Sequence, residues 1–191
     1  MPPPHSAVQV AIVGGGPAGL MAAEVLSARG ITVDLYDAKA SVGRKFLLAG
    51  KGGLNLTHGE AADLFVTRYR ERSAEVSNWL AEFDAAALRD WCAGLGITTF
   101  VGSSGRVFPT DMKAAPLLRA WLARLRAAGV RFHMRHRWTG WDVAGALTFD
   151  TPDGELQVGA RATLLALGGA SWPQLGSDGA WMPLLDARGV A

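Results

Sequence analysis

A glycine-rich turn between a buried strand and an apolar helix constrains this chain more than any other feature. Val8-Gln9-Val10-Ala11-Ile12-Val13 reads as a buried strand. Gly14-Gly15-Gly16-Pro17-Ala18-Gly19 follows at once, then an apolar helix, then a second strand from Ile31 to Tyr36 that ends at Asp37. Gly14, Gly16 and Gly19 have the G-x-G-x-x-G spacing of a dinucleotide-binding turn. In such a turn the first glycine leaves the strand tightly. The second admits a pyrophosphate close to the backbone, and the third lets the helix pack against the sheet. Free N–H groups and the dipole at the helix N-terminus then favour an anion.

The motif alone is weak in a chain with 24 glycines, and its surroundings make it specific. Ala23, Gly30 and Val33 stand where a close-packed βαβ unit needs small or β-branched residues. Asp37 lies eighteen residues past Gly19, at the end of the second strand. A carboxylate there can accept hydrogen bonds from ribose hydroxyls, and it argues against a 2′-phosphate, hence against NADP at this site.

The length of 191 residues suits one good-sized domain, so residues 1–191 are expected to be one, with 1–7 a disordered lead-in. A hydrophobic content of 49% against 19% charged residues excludes a disordered chain. The net charge of +2 is no nucleic-acid signature. Cys92, the only cysteine, excludes an intrachain disulfide or a CxxC pair and fits a reducing cytoplasm. Residues 8–28 imitate a signal peptide or membrane span, but the preceding segment lacks Lys and Arg, and four glycines, Pro17 and Glu24 interrupt the run. The expectation is a cytoplasmic protein without membrane attachment.

Further along, a long loop is predicted from Ala38 to His58. Residues 61–93 read as helical, with an apolar stripe of Trp79, Leu80, Phe83, Leu88 and Trp91, and Asp84 as an N-cap. Ile97 to Val107 is strand and turn. A helix capped by Thr110 or Asp111 carries Leu117, Leu118, Trp121, Leu122 and Leu125, and Gly129 closes it. Val130–Arg135 is a strand. Segments 138–143, 147–150 and 156–158 form a β-meander with a turn at Pro152-Asp153-Gly154. Ala162–Leu167 is a last apolar strand ending in Gly168-Gly169, and Ser177 or Asp178 caps a short final helix. This order predicts an α/β, Rossmann-like fold with a β-meander crossover, as in the FAD-binding domain of two-dinucleotide-binding flavoproteins. A plain NAD-binding domain would repeat βαβ without the meander.

Several constellations remain. Gly43-Arg44 follows the ribose acid, where a guanidinium can pair with a diphosphate. Gly50, Gly52 and Gly53 let backbone run against a flat ring, and Lys51 or Asn55 can donate to it; the alternative is a solvated surface loop. The segment is not a Walker A loop, since Gly52 follows Lys51 where Ser or Thr is needed. Gly105-Arg106-Val107-Phe108-Pro109 either lines the same cavity, with Arg106 facing an anion, or forms a hairpin. His133 and His136, three apart on one strand, would point to opposite faces, wrong for a metal site, so a solvated basic strand is expected. No catalytic nucleophile set and no catalytic residue is legible, which leaves the chemistry to a cofactor.

Taken in order, these blocks resemble the BaiN-type, or aminoacetone-oxidase-like, NAD(P)/FAD-dependent oxidoreductases. The resemblance is carried by the glycine turn, Gly43-Arg44-Lys45, the segment from Ala49 to His58, Gly105 to Pro109 with Lys113-Ala114, Ala166 to Pro173 and Gly176 to Gly179. It implies bound FAD. Gly14, Gly15, Gly16, Pro17, Ala18, Gly19, Asp37 and Ala38 would hold the ADP half. Gly43, Arg44 and Lys45 would lie near the pyrophosphate, and Gly50, Lys51, Gly52 and Asn55 near the flavin. Gly168 and Gly169 would form a second cofactor-contacting turn.

Two departures stand out: Lys51, Gly53 and Leu54 replace the family's usual Gly, Arg and Cys, and Leu167 replaces a threonine. Family members run to about twice this length, so the chain resembles an N-terminal portion lacking the substrate domain. The expected function is an FAD-dependent oxidoreductase acting on a small organic or amine substrate, with NAD(P)H as a transient co-substrate and no nucleic-acid partner. Its rivals are a non-catalytic FAD-binding fragment, a flavin-dependent RNA-modifying enzyme that would use Arg131, Arg135 and Arg137, and an NAD-dependent dehydrogenase domain. Substrate, electron acceptor and oligomeric state are not legible.

Overall fold

A computed structural model of the chain describes residues 8–176 and 178–190. The lead-in expected at 1–7 and the cap expected at Ser177 lie outside the described residues. The first elements are β1 (Val8–Val13), α1 (Pro17–Ser27), β2 (Val33–Asp37) and α2 (Arg44–Ala49). Then come β3 (Thr57–His58), α3 (Ala62–Thr67), α4 (Ser73–Glu82), α5 (Ala85–Gly94), β4 (Thr99–Val101), β5 (Arg106–Pro109) and α6 (Ala114–Ala127). The last are β6 (Arg131–Met134), β7 (Arg137–Trp141), β8 (Leu147–Thr151), β9 (Gly154–Val158), β10 (Ala160–Leu165) and α7 (Met182–Asp186). The chain divides into two compact units, one of Met1–Lys45 with Leu125–Ala191 and one of Phe46–Arg124.

The first unit is built on a four-stranded parallel sheet in the order β10-β1-β2-β6. A parallel sheet needs both faces covered. On one face α1 approaches closely: Gly19 abuts Ile12, and Leu20 and Ala23 are fully buried. On the other, Ala11, Val13 and Tyr36 join Trp138, Leu147, Phe149 and Val158 in a single apolar core. That second cover is the antiparallel sheet β7-β8-β9. The meander thus replaces the helix that a repeated βαβ unit would place between β6 and β10. Thr151 pairs with Gly154, so Pro152-Asp153 is a two-residue hairpin loop, as the sequence predicts.

Helix α1 starts and stops for local reasons. Pro17 occupies its first turn, where a missing N–H costs nothing, and Gly16 is the N-cap. At the other end Gly30 takes φ +75°, and its N–H donates to the Ser27 carbonyl at 2.9 Å.

Asp34 on β2 is the buried charged residue among the described residues of this unit, 2% exposed. Its carboxylate accepts from Arg131 Nε at 2.9 Å and from a second Arg131 nitrogen, and it lies 2.6 Å from His133 Nε2. β2–β6 register places Asp34 opposite Arg131. The expected solvated basic strand is therefore corrected: Arg131 and His133 compensate a buried acid, because a buried carboxylate is tolerated only when paired. The expected opposite facing of His133 and His136 is corrected too. Arg135 takes φ +61° and interrupts the strand, so both rings pack on Tyr36, at 4.5 Å and 5.8 Å between centroids.

The second unit contains the antiparallel sheet β3-β5-β4 and a core of Leu54, Cys92, Ala114 and Leu117. Burial pushes the Cys92 thiol up to about 11, which makes it an inert packing residue. Asp84 caps α5 as expected, accepting from the Ala87 N–H at 2.8 Å. Of the apolar stripe, Trp79 remains 68% exposed. The segment from Gly105 to Pro109 takes the hairpin alternative: Arg106 is exposed at the start of β5, which pairs with β4. The loop expected at 38–58 contains a turn-and-a-half of helix, α2, because Arg44 to Ala49 has neither glycine nor proline. The capping residues before α6 are otherwise engaged. Thr110 pairs with Thr98, and Asp111 accepts from the Lys113 N–H.

Candidate functional site

The ends of β1 and β2 open into a cleft that lies wholly within the first unit. Its cavity volume is about 210 Å³. Its lining includes Gly14 to Pro17 with Asp37, Ala38 and the segment from Gly43 to Lys45. It also includes His136, Arg137 and Trp138, the turn from Ala166 to Gly168, and Leu175, Gly176, Asp178, Ala180 and Trp181.

Three glycines of the turn are each required by a different neighbour. A Cβ on Gly14 would stand 2.2 Å from the Ala166 carbonyl oxygen, and its φ of +110° already excludes ordinary side chains. A Cβ on Gly19 would stand 1.9 Å from the Gly14 carbonyl oxygen. Gly15 has no place in the spacing rule, yet it is just as constrained: a Cβ there would meet Val42 Cγ1 at 2.2 Å. Gly16 is the exception. A Cβ on it would meet nothing within 4 Å, and Gly16 lines the cleft. Its missing side chain therefore leaves open the space in front of the helix N-terminus. The first N–H groups of α1 have no acceptor within the helix, and they are the donors an anion in that space would use.

Asp37 has a structural duty that its position in the sequence does not reveal. One carboxylate oxygen accepts from the Gly15 N–H and the other from the Lys39 N–H, both at 2.8 Å. The acid thereby ties the glycine turn to the end of β2. Burial raises its pKa above 3.8, against the pull of those N–H groups, Arg44 and Lys39. A carboxyl with a raised folded pKa favours the folded state most when protonated. Its contribution to stability is therefore present in acid and is lost as pH rises from near 3.8 through the raised folded value. Chemical denaturation of wild type and Asp37→Asn across that range is expected to show the wild type losing ground relative to the variant as pH rises. A wild type that gains ground would contradict it.

The other predicted residues divide. Gly43, Arg44, Lys45 and Gly168 line the cleft, and Lys45 Nζ donates to Ser171 Oγ at 2.8 Å. Ala18 and Gly19 belong to the first turn of α1 and are not among the lining residues, nor is Gly169. Gly50, Lys51, Gly52 and Asn55 lie in the second unit, where Lys51, Gly52 and Asn55 are exposed and Gly50 packs on Ala114. Lys39, His136, Arg137, Trp138 and Trp181 also line the cleft without a sequence motif to announce them, and all but Lys39 come from segments distant from the glycine turn. Arg137 lies 3.7 Å from Asp178, whose carboxyl is held below its usual range by the Ala180 N–H and then by Arg137. The expected cap at Asp178 is corrected accordingly: its side chain holds Ala180, and α7 begins later, at Met182. The indole N–H groups of Trp138 and Trp181 are buried without an acceptor among the described residues. Tyr36, which also lines the cleft, is pushed up to about 12 by burial and then by Asp34, so its hydroxyl stays protonated. Among the described residues no cluster of three or more His, Cys, Asp or Glu could hold a metal, and no helix is long and apolar enough to cross a membrane.

The family described as HI0933-like protein Rossmann domain matches residues 8–191. Three solved structures show the same fold at low identity. THI4 from Thermovibrio ammonificans is 19% identical, over 91% of this chain and 63% of its own, with a TM-score of 0.56. The 3-ketosteroid-delta4-(5alpha)-dehydrogenase of Rhodococcus jostii RHA1, solved with 4-androstene-3,17-dione, is 14% identical over 88% of this chain and 47% of its own, with a TM-score of 0.65. An open conformation of a flavocytochrome c3 fumarate reductase is 17% identical over 87% and 34%, with a TM-score of 0.62. The chain thus spans 63% or less of the length of these structures. The match to the family profile covers nearly the whole chain, and the chain belongs to the HI0933-like Rossmann-domain family.

Proposed function

We propose, from this family membership and the cleft, that the chain binds FAD and forms the cofactor-binding part of an FAD-dependent oxidoreductase. The observation that carries the proposal is the open cradle at Gly16, bounded by the N-terminus of α1 and by Asp37. The residues present fit the group. The α1 N-terminus with Gly14 to Pro17 would hold the pyrophosphate, with Arg44 and Lys45 as cations beside it. Asp37 would accept from the ribose. Each of its oxygens has one backbone N–H partner, and a carboxylate oxygen has room for a second. Gly168 would approach the cofactor from the end of β10. Gly50, Lys51, Gly52 and Asn55 are proposed for the flavin end, on the family resemblance alone.

Bound FAD would supply two-electron hydride transfer at N5, to or from NAD(P)H or a small organic or amine substrate. The finer assignment to the BaiN-type group rests on the sequence blocks. FAD is favoured over NAD by the β7-β8-β9 meander between β6 and β10. The RNA-modifying alternative loses support because Arg131 is engaged by Asp34 and Arg137 by Asp178. FAD binding without turnover by these 191 residues alone is the second reading, favoured by the partial span of the longer structures.

An absorbance scan of the purified chain tests the proposal. The expected result is a yellow protein that releases FAD on heating. A colourless protein that takes up no added FAD would refute it. Bleaching by NAD(P)H or by amines would then separate turnover from binding alone.

A further inference from the structure

We propose that His136 reads the base of the bound nucleotide and selects a 6-aminopurine over a 6-oxopurine. The inference rests on the nucleotide-binding reading above and deepens it. The His136 backbone N–H donates to the Asp37 carbonyl at 2.9 Å, so the residue is anchored directly on the proposed ribose acid. A nucleoside base is one bond from its ribose. A ribose held at Asp37 therefore brings its base to the part of the cleft that His136 lines.

The ring is fixed in orientation and in tautomer. It packs at 50° to Tyr36, with centroids 5.8 Å apart, and edge-on to Phe149 at 6.3 Å. Its Nδ1 lies 2.8 Å from the Met134 carbonyl oxygen. A carbonyl only accepts, so Nδ1 carries the proton of the neutral ring. Nε2 is then an acceptor with a lone pair. An acceptor at that place matches the exocyclic N–H of adenine. It opposes the carbonyl oxygen of hypoxanthine, which offers a second lone pair instead of a proton. Leaving one acceptor unmatched is worth about tenfold in affinity.

The test is equilibrium binding of ADP, IDP and N6,N6-dimethyl-ADP to the full chain at mildly alkaline pH. Wild type is expected to bind ADP about tenfold more tightly than either analogue. In His136→Ala the preference should collapse toward unity, and in His136→Gln, whose amide oxygen is again an acceptor, much of it should return. Circular dichroism checks that each variant is folded. Equal wild-type affinities for ADP and IDP would overturn the proposal without any variant, as would a preference that survives in folded His136→Ala. No binding of any of the three nucleotides would instead overturn the nucleotide reading, and this inference with it.

Discussion

Gly16→Val is expected to weaken FAD and ADP binding by about 100-fold or more while leaving the fold nearly intact. The glycine has φ −78° and ψ −179°, a conformation open to any residue. A Cβ there meets no protein atom within 4 Å, so the branch point of the new side chain displaces nothing. Replacing an N-cap glycine by valine costs about 1 kcal/mol at most. The side chain would instead fill the space in front of the first N–H groups of α1. Losing two charge-assisted hydrogen bonds there removes roughly 3–6 kcal/mol of binding, which is two to four decades in affinity. Isothermal titration with ADP, paired with thermal denaturation, reads both halves. Stoichiometric FAD in the purified variant would show that the pyrophosphate lies elsewhere.

Gly19→Ala should do the opposite: it should weaken the fold itself, whatever it does to binding. Alanine is worth about 1 kcal/mol over glycine in a helix interior, so propensity alone predicts a gain. Packing overrides it. The new methyl would lie 1.9 Å from the Gly14 carbonyl oxygen, 3.1 Å from the Gly14 carbonyl carbon and 3.3 Å from Ile12 Cγ2. Gly14 has no room to retreat, since it is held at φ +110° against the Ala166 carbonyl. Either α1 lifts off the sheet or β1 shifts against β10, and both break the core around Ala11 and Ile12. A net loss of about 3 kcal/mol or more is expected. A variant with a wild-type urea midpoint would show that the turn is softer than its contacts imply.

Much of the first unit is legible in the chain because its signals are local. The strand at Val8, the turn at Gly14, the helix opened by Pro17 and the second strand ending at Asp37 each follow from steric rules acting within a few residues. The hairpin at Pro152-Asp153 is read in the same way. The site was only half legible. Gly15 appears free in the spacing rule, and it becomes obligatory only when Val42 and Asp37 arrive beside it. Asp37 reads as a ribose acid, and its grip on the Gly15 N–H depends on how β1 and β2 are registered.

Spacing alone determined that this chain holds a Rossmann-type glycine turn, because a tight turn, a close helix and a terminal acid are properties of consecutive residues. Only the tertiary structure decided what faces that turn. Arg131 reads as a surface cation, yet it neutralises Asp34, 97 residues away. His133 and His136 share Tyr36 because one residue, Arg135, leaves the strand conformation. Contacts of this kind are set by strand register and by single backbone reversals, and neither leaves a periodic mark in the sequence.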